Sequence, residues 1–442
     1  MKKAELSSRL RDYVRSQVSP TQAERDLVTK LYAAVRDCLG ETCYLVGSFA
    51  RFTASRPMHD IDVLFVAGEF NAFRLDPGPI LERLQQKLSL GFRNPTSLKM
   101  EISKQTHSIT ICFLENNNER FGIDVVPGFI SGRKNEFNHD IYWVPEILTV
   151  SKRNRRAQYA ELAKRYKREF DWWITSDPRG YISEAANLNA LNADFRHVTK
   201  LVKKWKHNCT SSDKQFALKS FHVEQAIANV FRQRPQIDIS DALFRVLCDI
   251  PDIIARPQIP DRADSSRFID EYVRGFSGDQ TRTILEARDF FLIQLENISD
   301  RSSVSDLVRG HLHTRASKTE EYLFDQRIPI LTEEEASLRI TAYVLPRAGF
   351  RPCNLDSSGI INVDRKIEFS AKFSAPYSSD LLKWKVKNDN SSPAPRGEIT
   401  DHRTRRHPEE TKYKGSHFVE CYAIKDGRCV ARAKQNVVLK SV

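Results

Sequence analysis

Apolar residues recur every four positions in two runs near the start of the chain, at 6–14 and 23–35. This spacing places them along one face of a helix. The pattern therefore predicts two helices, with Ser19-Pro20 at the N-cap and first turn of the second. An apolar run at 42–46 then ends the helical period and predicts a strand.

That strand leads into the stretch 47–65, which reads GSFARFTASRPMHDIDVLF. Asp60 and Asp62 flank a single isoleucine and precede an apolar run. Side chains two apart on a strand point to the same face, so both carboxylates share a face while Ile61 enters the core. Neighbouring carboxylates repel each other unless a cation lies between them, and Mg²⁺ prefers oxygen ligands. The stretch therefore predicts a metal site.

A third carboxylate, Asp124, lies inside the apolar run 121–127, FGIDVVP, after two predicted strands at 98–102 and 108–113. A charge on such a strand is costly to bury unless it is paired or bound to a metal, which favours Asp124 as a third ligand. The alternative is a carboxylate that points to solvent from an edge strand. The ordered combination with Gly47, Ser48, Asp60 and Asp62 favours the metal site.

The remaining hydrophobic pattern changes from the helical period to the strand period along the chain. Helices are predicted at 79–88, 185–191, 195–205, 216–231, 242–250, 265–276 and 280–295. After residue 330, short alternating segments separated by turn residues predict a small antiparallel sandwich, with strands at 338–345, 360–363, 367–373, 381–386, 418–424 and 430–439. The pattern therefore divides the chain into domains at 1–170, 171–325 and 326–442.

Composition adds a preferred partner and excludes some classes of protein. The chain has 442 residues with 69 Lys and Arg against 57 Asp and Glu, a formal charge of +12 that favours an anionic partner. The basic segment 151–170 could bind a polynucleotide or could be a solvated helix, and a loop at 388–414 carries several arginines. The chain shows no signal peptide and no long apolar run, so we expect a cytoplasmic protein with no membrane partner. The eight cysteines lack the spacing of a zinc site.

The stretch 47–65 has the parts that a nucleotide phosphate site needs. The Gly47 backbone can approach a triphosphate closely, and the Ser48 hydroxyl can bond a phosphate oxygen. Asp60, Asp62 and Asp124 would hold two Mg²⁺ or Mn²⁺ ions roughly 3.5–4 Å apart. This ordered set resembles the polymerase-beta-like nucleotidyltransferases. The resemblance implies an α+β fold, a mixed sheet with a helical second lobe, followed here by the all-β sandwich-like domain.

Further motifs narrow the resemblance. GIDVVP around Asp124, WITSDP at 173–178, VKKW around Lys203 and LKSFHVE around Ser220 resemble the CD-NTases. These are the cyclic-oligonucleotide synthases of bacterial anti-phage signalling, related to animal cyclic GMP-AMP synthase and oligoadenylate synthase. The resemblance covers residues 1–325. It implies that Lys203 and Ser220 contact nucleotide phosphates and that Phe221 stacks on the base. The family often has Tyr there, so one hydrogen bond would be lost; Lys203 as a surface residue and Phe221 as core remain alternatives.

The resemblance implies an enzyme that joins NTPs, with ATP the foremost substrate, into a cyclic di- or trinucleotide that activates a separate effector protein. A linear oligonucleotide synthase, a transferase acting on RNA or protein, and an inert nucleotide-binding module are the alternatives. The segment 415–439 resembles the C-terminal sensor domain fused to some of these synthases, although a stabilising β module is nearly as compatible. An activating nucleic acid or small ligand is a further expected partner.

Overall fold

A computed structural model describes residues 3–40, 42–58, 60–69, 77–146, 173–347, 351–355, 359–401 and 408–440. The chain forms two compact units, one from Leu10–Ile284 and one from Met1–Arg9 with Leu285–Val442. The basic segment 151–170, the predicted boundary at residue 170 and loop residues 402–407 lie outside the described residues. The three predicted domains therefore stay a prediction. Within the described ranges, no helix has both the length and the apolar composition needed to span a bilayer.

The helices lie close to where the apolar periodicity predicts them. Their bounds are α1 (Lys3–Tyr13), α2 (Gln22–Leu39), α3 (Gly47–Ala50), α4 (Gly78–Gly91), α5 (Pro178–Leu191), α6 (Asp194–Ser212), α7 (Ser220–Gln233), α8 (Ile239–Ala255) and α9 (Gly278–Glu296). A π-helical turn follows α1, at Val14–Val18. Short 3₁₀ helices occupy Glu271–Gly275, Val304–Asp306 and Leu323–Gln326.

Two details of the helix prediction are wrong. The N-cap of α2 is Thr21 rather than Ser19, because Thr21 forms a reciprocal capping box with Glu24. The segment 265–276 is not a helix beyond the short 3₁₀ turn. There the Asp264 carboxylate accepts from the backbone and hydroxyl of Ser266, and Asp270 accepts from two backbone amides at 258 and 259. Such local side-chain bonds compete with helix formation.

One mixed sheet organises the larger unit. Its strands within the described residues are β1 (Cys43–Val46), β2 (Asp60–Glu69), β3 (Lys99–Lys104), β4 (Ile109–Glu115), β5 (Asn118–Lys134), β6 (Asp140–Pro145) and β7 (Trp173–Ser176). They are arranged in the order β1-β2-β5-β4-β3, with β6 joining β5 to β7. β2 and β5 are parallel, whereas the other pairs are antiparallel. The central strands thus place residues that are distant in sequence side by side.

Helices α5 to α8 follow this sheet in the chain. The inner face of α6 is apolar at helical spacing, and Val198, Leu201, Val202 and Trp205 are fully buried. The Trp205 ring meets Phe216 edge-on at 5.4 Å. This packing fixes the rotation of α6 about its axis and hence the direction of its lysines.

The second unit contains a two-sheet β domain. Its strands are β8 (Ser337–Val344), β9 (Cys353–Asn354), β10 (Ile360–Asn362), β11 (Lys366–Ser374), β12 (Leu381–Lys387), β13 (Ile399–Thr400), β14 (Glu409–Glu410), β15 (Gly415–Lys425) and β16 (Arg428–Lys440). The sheet orders are β10-β16-β15-β12-β13 and β14-β11-β8-β9. Phe369 from one sheet and Trp384 and Val419 from the other share one buried core. The predicted antiparallel sandwich is confirmed except that β10 pairs with β16 in parallel.

Candidate active site

Three carboxylates lie on one face of the central sheet. In the parallel pair β2 and β5, Asp62 stands opposite Asp124, and Asp60 lies two residues before Asp62. The intervening residues Ile61 and Ile123 are fully buried on the opposite face. Strand alternation therefore brings Asp60, Asp62 and Asp124 to the same side of the sheet.

Gly47 allows the chain to approach this acidic face. Its φ angle is +67°, in the left-handed region that favours glycine. A Cβ atom at this position would lie only 1.7 Å from Oδ2 of Asp62. The next residue, Ser48, is the second residue of the short α3 segment and lines the same cavity as Asp60 and Asp62. Any other residue at position 47 would collide with Asp62.

The carboxylates disfavour one another's ionisation. Burial raises the pKa of Asp62 to about 6, with Arg51 opposing the rise and Asp124 and Asp60 adding to it. Burial, then Asp124 and Glu119, raise the pKa of Asp60. A set of repelling oxygen donors suits a hard divalent cation, whose charge would remove the repulsion. The chemistry of the donor set therefore fits Mg²⁺ or Mn²⁺.

Asp124 is at present engaged elsewhere. Its Oδ1 accepts a hydrogen bond of 2.5 Å from the Thr110 hydroxyl, which itself accepts from Gln105. Among the residues that the structure describes, no three or more His, Cys, Asp or Glu side chains are arranged to hold a metal ion. The three carboxylates share one face of the sheet, and a carboxylate that accepts one hydrogen bond at Oδ1 still has lone pairs for a cation.

A cavity of about 460 Å³ adjoins the carboxylates. Six of the eight predicted site residues line it, namely Ser48, Asp60, Asp62, Lys203, Ser220 and Phe221. The other two are Gly47, which packs against Asp62, and Asp124, which lies on the neighbouring strand. The structure therefore brings the predicted residues from β2, α3, α6 and α7 to one place.

Lys203 is not a surface lysine, since only 9% of it is exposed. Its ammonium donates to the Thr53 carbonyl at 3.0 Å and lies 3.5 Å from a Glu224 carboxylate oxygen. Burial lowers the pKa of Lys203, and Glu224 opposes this effect. Lys203 borders the cavity with its charge already partly compensated.

The ion pair between Arg51 and Glu224 was missed by sequence reasoning. Glu224 is 1% exposed and accepts from Arg51 Nε at 2.5 Å and from the Thr53 hydroxyl at 3.0 Å. Burial would raise the pKa of Glu224, but Arg51 and Lys203 outweigh it and the net shift is downward. Arg51 lies within the motif GSFARFT and Glu224 within the motif LKSFHVE. The signal in the sequence was therefore one charged residue of opposite sign in each motif.

Ser220 and Phe221 open helix α7 at the cavity. Ser220 is its first residue. The half-buried Phe221 ring has the Arg51 guanidinium over it at 5.2 Å and meets the Tyr181 ring edge-on at 4.9 Å. Phe221 is therefore held in place by neighbours while still bordering the cavity.

Comparisons with known proteins bear on the C-terminal domain and on the fold. Residues 317–440 match the family AGS_C, the Adenylyl/Guanylyl and SMODS C-terminal sensor domain. No curated protein sequence matches the chain significantly. Among solved structures, that of CdnC from E. coli MS115-1 with ATP has a TM-score of 0.50 at 16% identity and covers 69% of this chain and 98% of CdnC.

Two further structures are similar at lower scores. The CdnE cyclic dinucleotide synthase of Elizabethkingia meningoseptica, with GTP and Apcpp, has a TM-score of 0.40 at 16% identity over 64% of this chain and 96% of its own. The DncV cyclic AMP-GMP synthase of Vibrio cholerae has a TM-score of 0.40 at 15% identity over 65% of this chain and 75% of its own. At this identity, structural likeness bears on the fold alone.

The match to CdnC covers 69% of the chain, and the family match covers residues 317–440. The α+β fold class is confirmed. The chain therefore shares the fold of CdnC, and its residues 317–440 match the AGS_C sensor-domain family.

Proposed function

We propose that the protein is a nucleotidyltransferase that joins NTPs into a cyclic di- or trinucleotide and releases pyrophosphate. The observation that carries this proposal is the cavity in which Asp60 and Asp62 face Ser48, Lys203 and Ser220. Carboxylates on one wall and hydroxyl and cationic groups on the other match the two needs of nucleotidyl transfer, which are a metal site and a triphosphate site.

Each residue has a proposed task. Asp60, Asp62 and Asp124 hold divalent cations, and the Thr110 hydroxyl orients the Asp124 carboxylate through its bond to Oδ1. Two bound Mg²⁺ or Mn²⁺ ions would neutralise the triphosphate and lower the pKa of the attacking ribose hydroxyl. Ser48, Ser220 and Lys203 orient the phosphates.

Phe221 offers its ring to the base, held by Tyr181 and Arg51. In the reaction, a ribose oxygen forms a bond to the α-phosphorus, and the bond to the pyrophosphate oxygen breaks. The hydroxyl proton goes to solvent. Orientation of the two reacting nucleotides inside one cavity supplies much of the rate.

The cyclic product and its role are the finer part of the proposal. The AGS_C match at residues 317–440 is compatible with a synthase whose output is controlled by a sensor. The product would activate a separate effector in anti-phage signalling. A linear oligonucleotide synthase, or a transferase that modifies RNA or protein, uses the same carboxylate chemistry and remains the second candidate.

Incubation with α-labelled NTPs and Mg²⁺ or Mn²⁺, followed by phosphatase treatment, tests the proposal. A phosphatase-resistant product is expected, and mass spectrometry would identify its bases. The product should vanish with EDTA and in the Asp60→Asn and Asp62→Asn variants. It should persist in Glu101→Gln, an exposed carboxylate change in the same sheet. A ladder of phosphatase-sensitive products would favour the linear synthase, and no pyrophosphate release under any condition would refute the enzyme.

A further inference from the structure

A second cavity, of about 530 Å³, lies on the other side of the segment 48–54 within the same unit. Three cationic side chains line it, Arg25 from α2 and Arg196 and Lys200 from α6. Among the residues that the structure describes, none of the three forms an ion pair; their polar partners are neutral. Lys200 donates to the Ser19 hydroxyl at 3.1 Å, Arg25 to the Pro20 carbonyl at 2.9 Å and Arg196 to the Arg51 carbonyl at 3.1 Å.

The cations crowd one another. Burial first, and then the charges of Arg25, Arg196 and Lys203, lower the pKa of Lys200 to about 8. Burial also lowers the pKa of Arg196. Like charges gathered around one cavity without a counter-charge repel, and an anion placed among them would remove that repulsion.

The cavity also offers an aromatic platform. Phe52 is 61% exposed and adopts a φ of 59°, in the left-handed region that is uncommon for a bulky residue. The Arg196 guanidinium lies 4.8 Å from its ring centroid. Val28, Leu45 and Phe49 add apolar lining. A flat ring beside several cations is the combination that binds a base and its phosphates.

The two cavities share a wall. Phe49 and Ala54 border both of them. Arg196 bonds the Arg51 carbonyl on the second cavity's side, while the Arg51 side chain pairs with Glu224 on the first cavity's side. A ligand that fixed Arg196 and Phe52 would therefore also restrain the backbone that carries Ser48 and Arg51.

We propose that this second cavity binds a phosphorylated mononucleotide without metal, and that the bound ligand orders the segment 48–54. The binding site stands on its own contacts. Its regulatory consequence rests on the proposed nucleotidyl transfer, because the ordered segment carries Ser48 at the first cavity.

Equilibrium dialysis of the full chain with labelled ADP in EDTA tests the site. One ADP per chain is expected, with affinity reduced about tenfold or more in Lys200→Glu and Arg25→Glu, since each loses a charge-assisted contact. Lys204→Glu and Lys30→Glu, basic changes on the same two helices outside both cavities, should bind normally. So should Asp62→Asn, which alters the first cavity. Lys200→Gln and thermal melts of each variant separate lost binding from lost folding.

The absence of metal-independent ADP binding at millimolar concentration would overturn the proposal. Loss of binding in Asp62→Asn but not in Lys200→Glu would also overturn it, because the ADP would then occupy the first cavity. If a single-stranded oligonucleotide bound and ADP did not compete with it, the three cations of the second cavity would form a polynucleotide site instead, and the proposal would be overturned. These three outcomes can be interpreted even if the protein transfers no nucleotides, because each experiment measures binding and not turnover.

Hydrogen exchange tests the coupling. ADP should slow amide exchange across 48–54 in the unaltered protein and in Asp62→Asn, and should not do so in Lys200→Glu. Unchanged exchange in the presence of bound ADP would refute the ordering of this segment while leaving the binding site intact.

Discussion

Replacement of Gly47 by Ala should displace the Asp62 carboxylate. The variant should therefore lose metal affinity and activity in addition to some folding stability. Two effects combine at this position. An alanine in the left-handed region costs about 1–2 kcal/mol of folding free energy. In addition, its Cβ would lie 1.7 Å from Asp62 Oδ2, where an ordinary contact begins at 3.4 Å. The carboxylate must therefore withdraw by about 1.7 Å, or the α3 segment must move.

The size of the functional effect follows from that displacement. Misplacement of a reacting group by about 1 Å can lower the rate about 100-fold. We therefore expect nucleotidyl transfer to fall about 100-fold or more, and Mn²⁺ affinity measured by electron paramagnetic resonance to fall with it. The metal measurement does not depend on turnover, so it reports on Asp62 even if the reaction is another one.

Gly132→Ala provides the matched control. Gly132 has a φ of +79°, similar to that of Gly47, but an added Cβ would meet nothing within 4 Å. Urea denaturation should show a loss of about 1–2 kcal/mol from backbone strain in Gly132→Ala and a larger loss in Gly47→Ala, which adds the clash with Asp62. Only Gly47→Ala should lose Mn²⁺ affinity and activity. Equal Mn²⁺ affinity in the two variants would refute the steric link between Gly47 and Asp62.

Substitutions at three other positions address the remaining charges and the stacking ring. Glu224→Gln should lower the free energy of unfolding in urea by about 3–5 kcal/mol, because Arg51 and Lys203 then stay buried without their counter-charge; a loss below about 1 kcal/mol would contradict a dry ion pair. Phe221→Ala should raise the KM for NTPs about tenfold, as expected when a stacking ring is lost, while Phe221→Tyr should not. In the C-terminal unit, burial raises the pKa of Glu296 from 4.5 to about 8, against opposing effects of Arg432 and Lys385. Between these pH values the folded state holds the extra proton, so stability falls as pH rises through this window. Glu296→Gln should remove that slope, and thermal melts at pH values near either end would detect it; equal slopes in both proteins would contradict the shift.

The local part of the site could be predicted from the sequence because strand alternation is a local rule. Asp60, Ile61 and Asp62 are adjacent, and their alternation fixes which side chains share a face wherever the strand lies. The apolar period likewise located α6 and hence Lys203. Six of the nine strands described in the β domain were also predicted to within a few residues, whereas the two-residue strands β9, β13 and β14 were not.

The pairing of charges could not be predicted in the same way. Glu224 meets Arg51 and Lys203 only after two helices and the α3 segment have packed together, and no spacing in the sequence encodes that encounter. Asp124 shows the same limit, because its partner Thr110 sits on a neighbouring antiparallel strand. The helix predicted at 265–276 does not form, because the Asp264 and Asp270 carboxylates accept local hydrogen bonds that compete with the helix despite its apolar spacing.

The parallel pairing of β2 with β5 also determines when the site can form during synthesis. Parallel neighbours need a long crossover, and β3 and β4 are made before β5 can join β2. Asp62 therefore emerges from the ribosome well before Asp124, and Lys203 and Glu224 emerge later still. Such non-local pairing is slow to form. A nascent or truncated chain that ends before α7 lacks Ser220, Phe221 and Glu224 and should be unable to assemble the cavity.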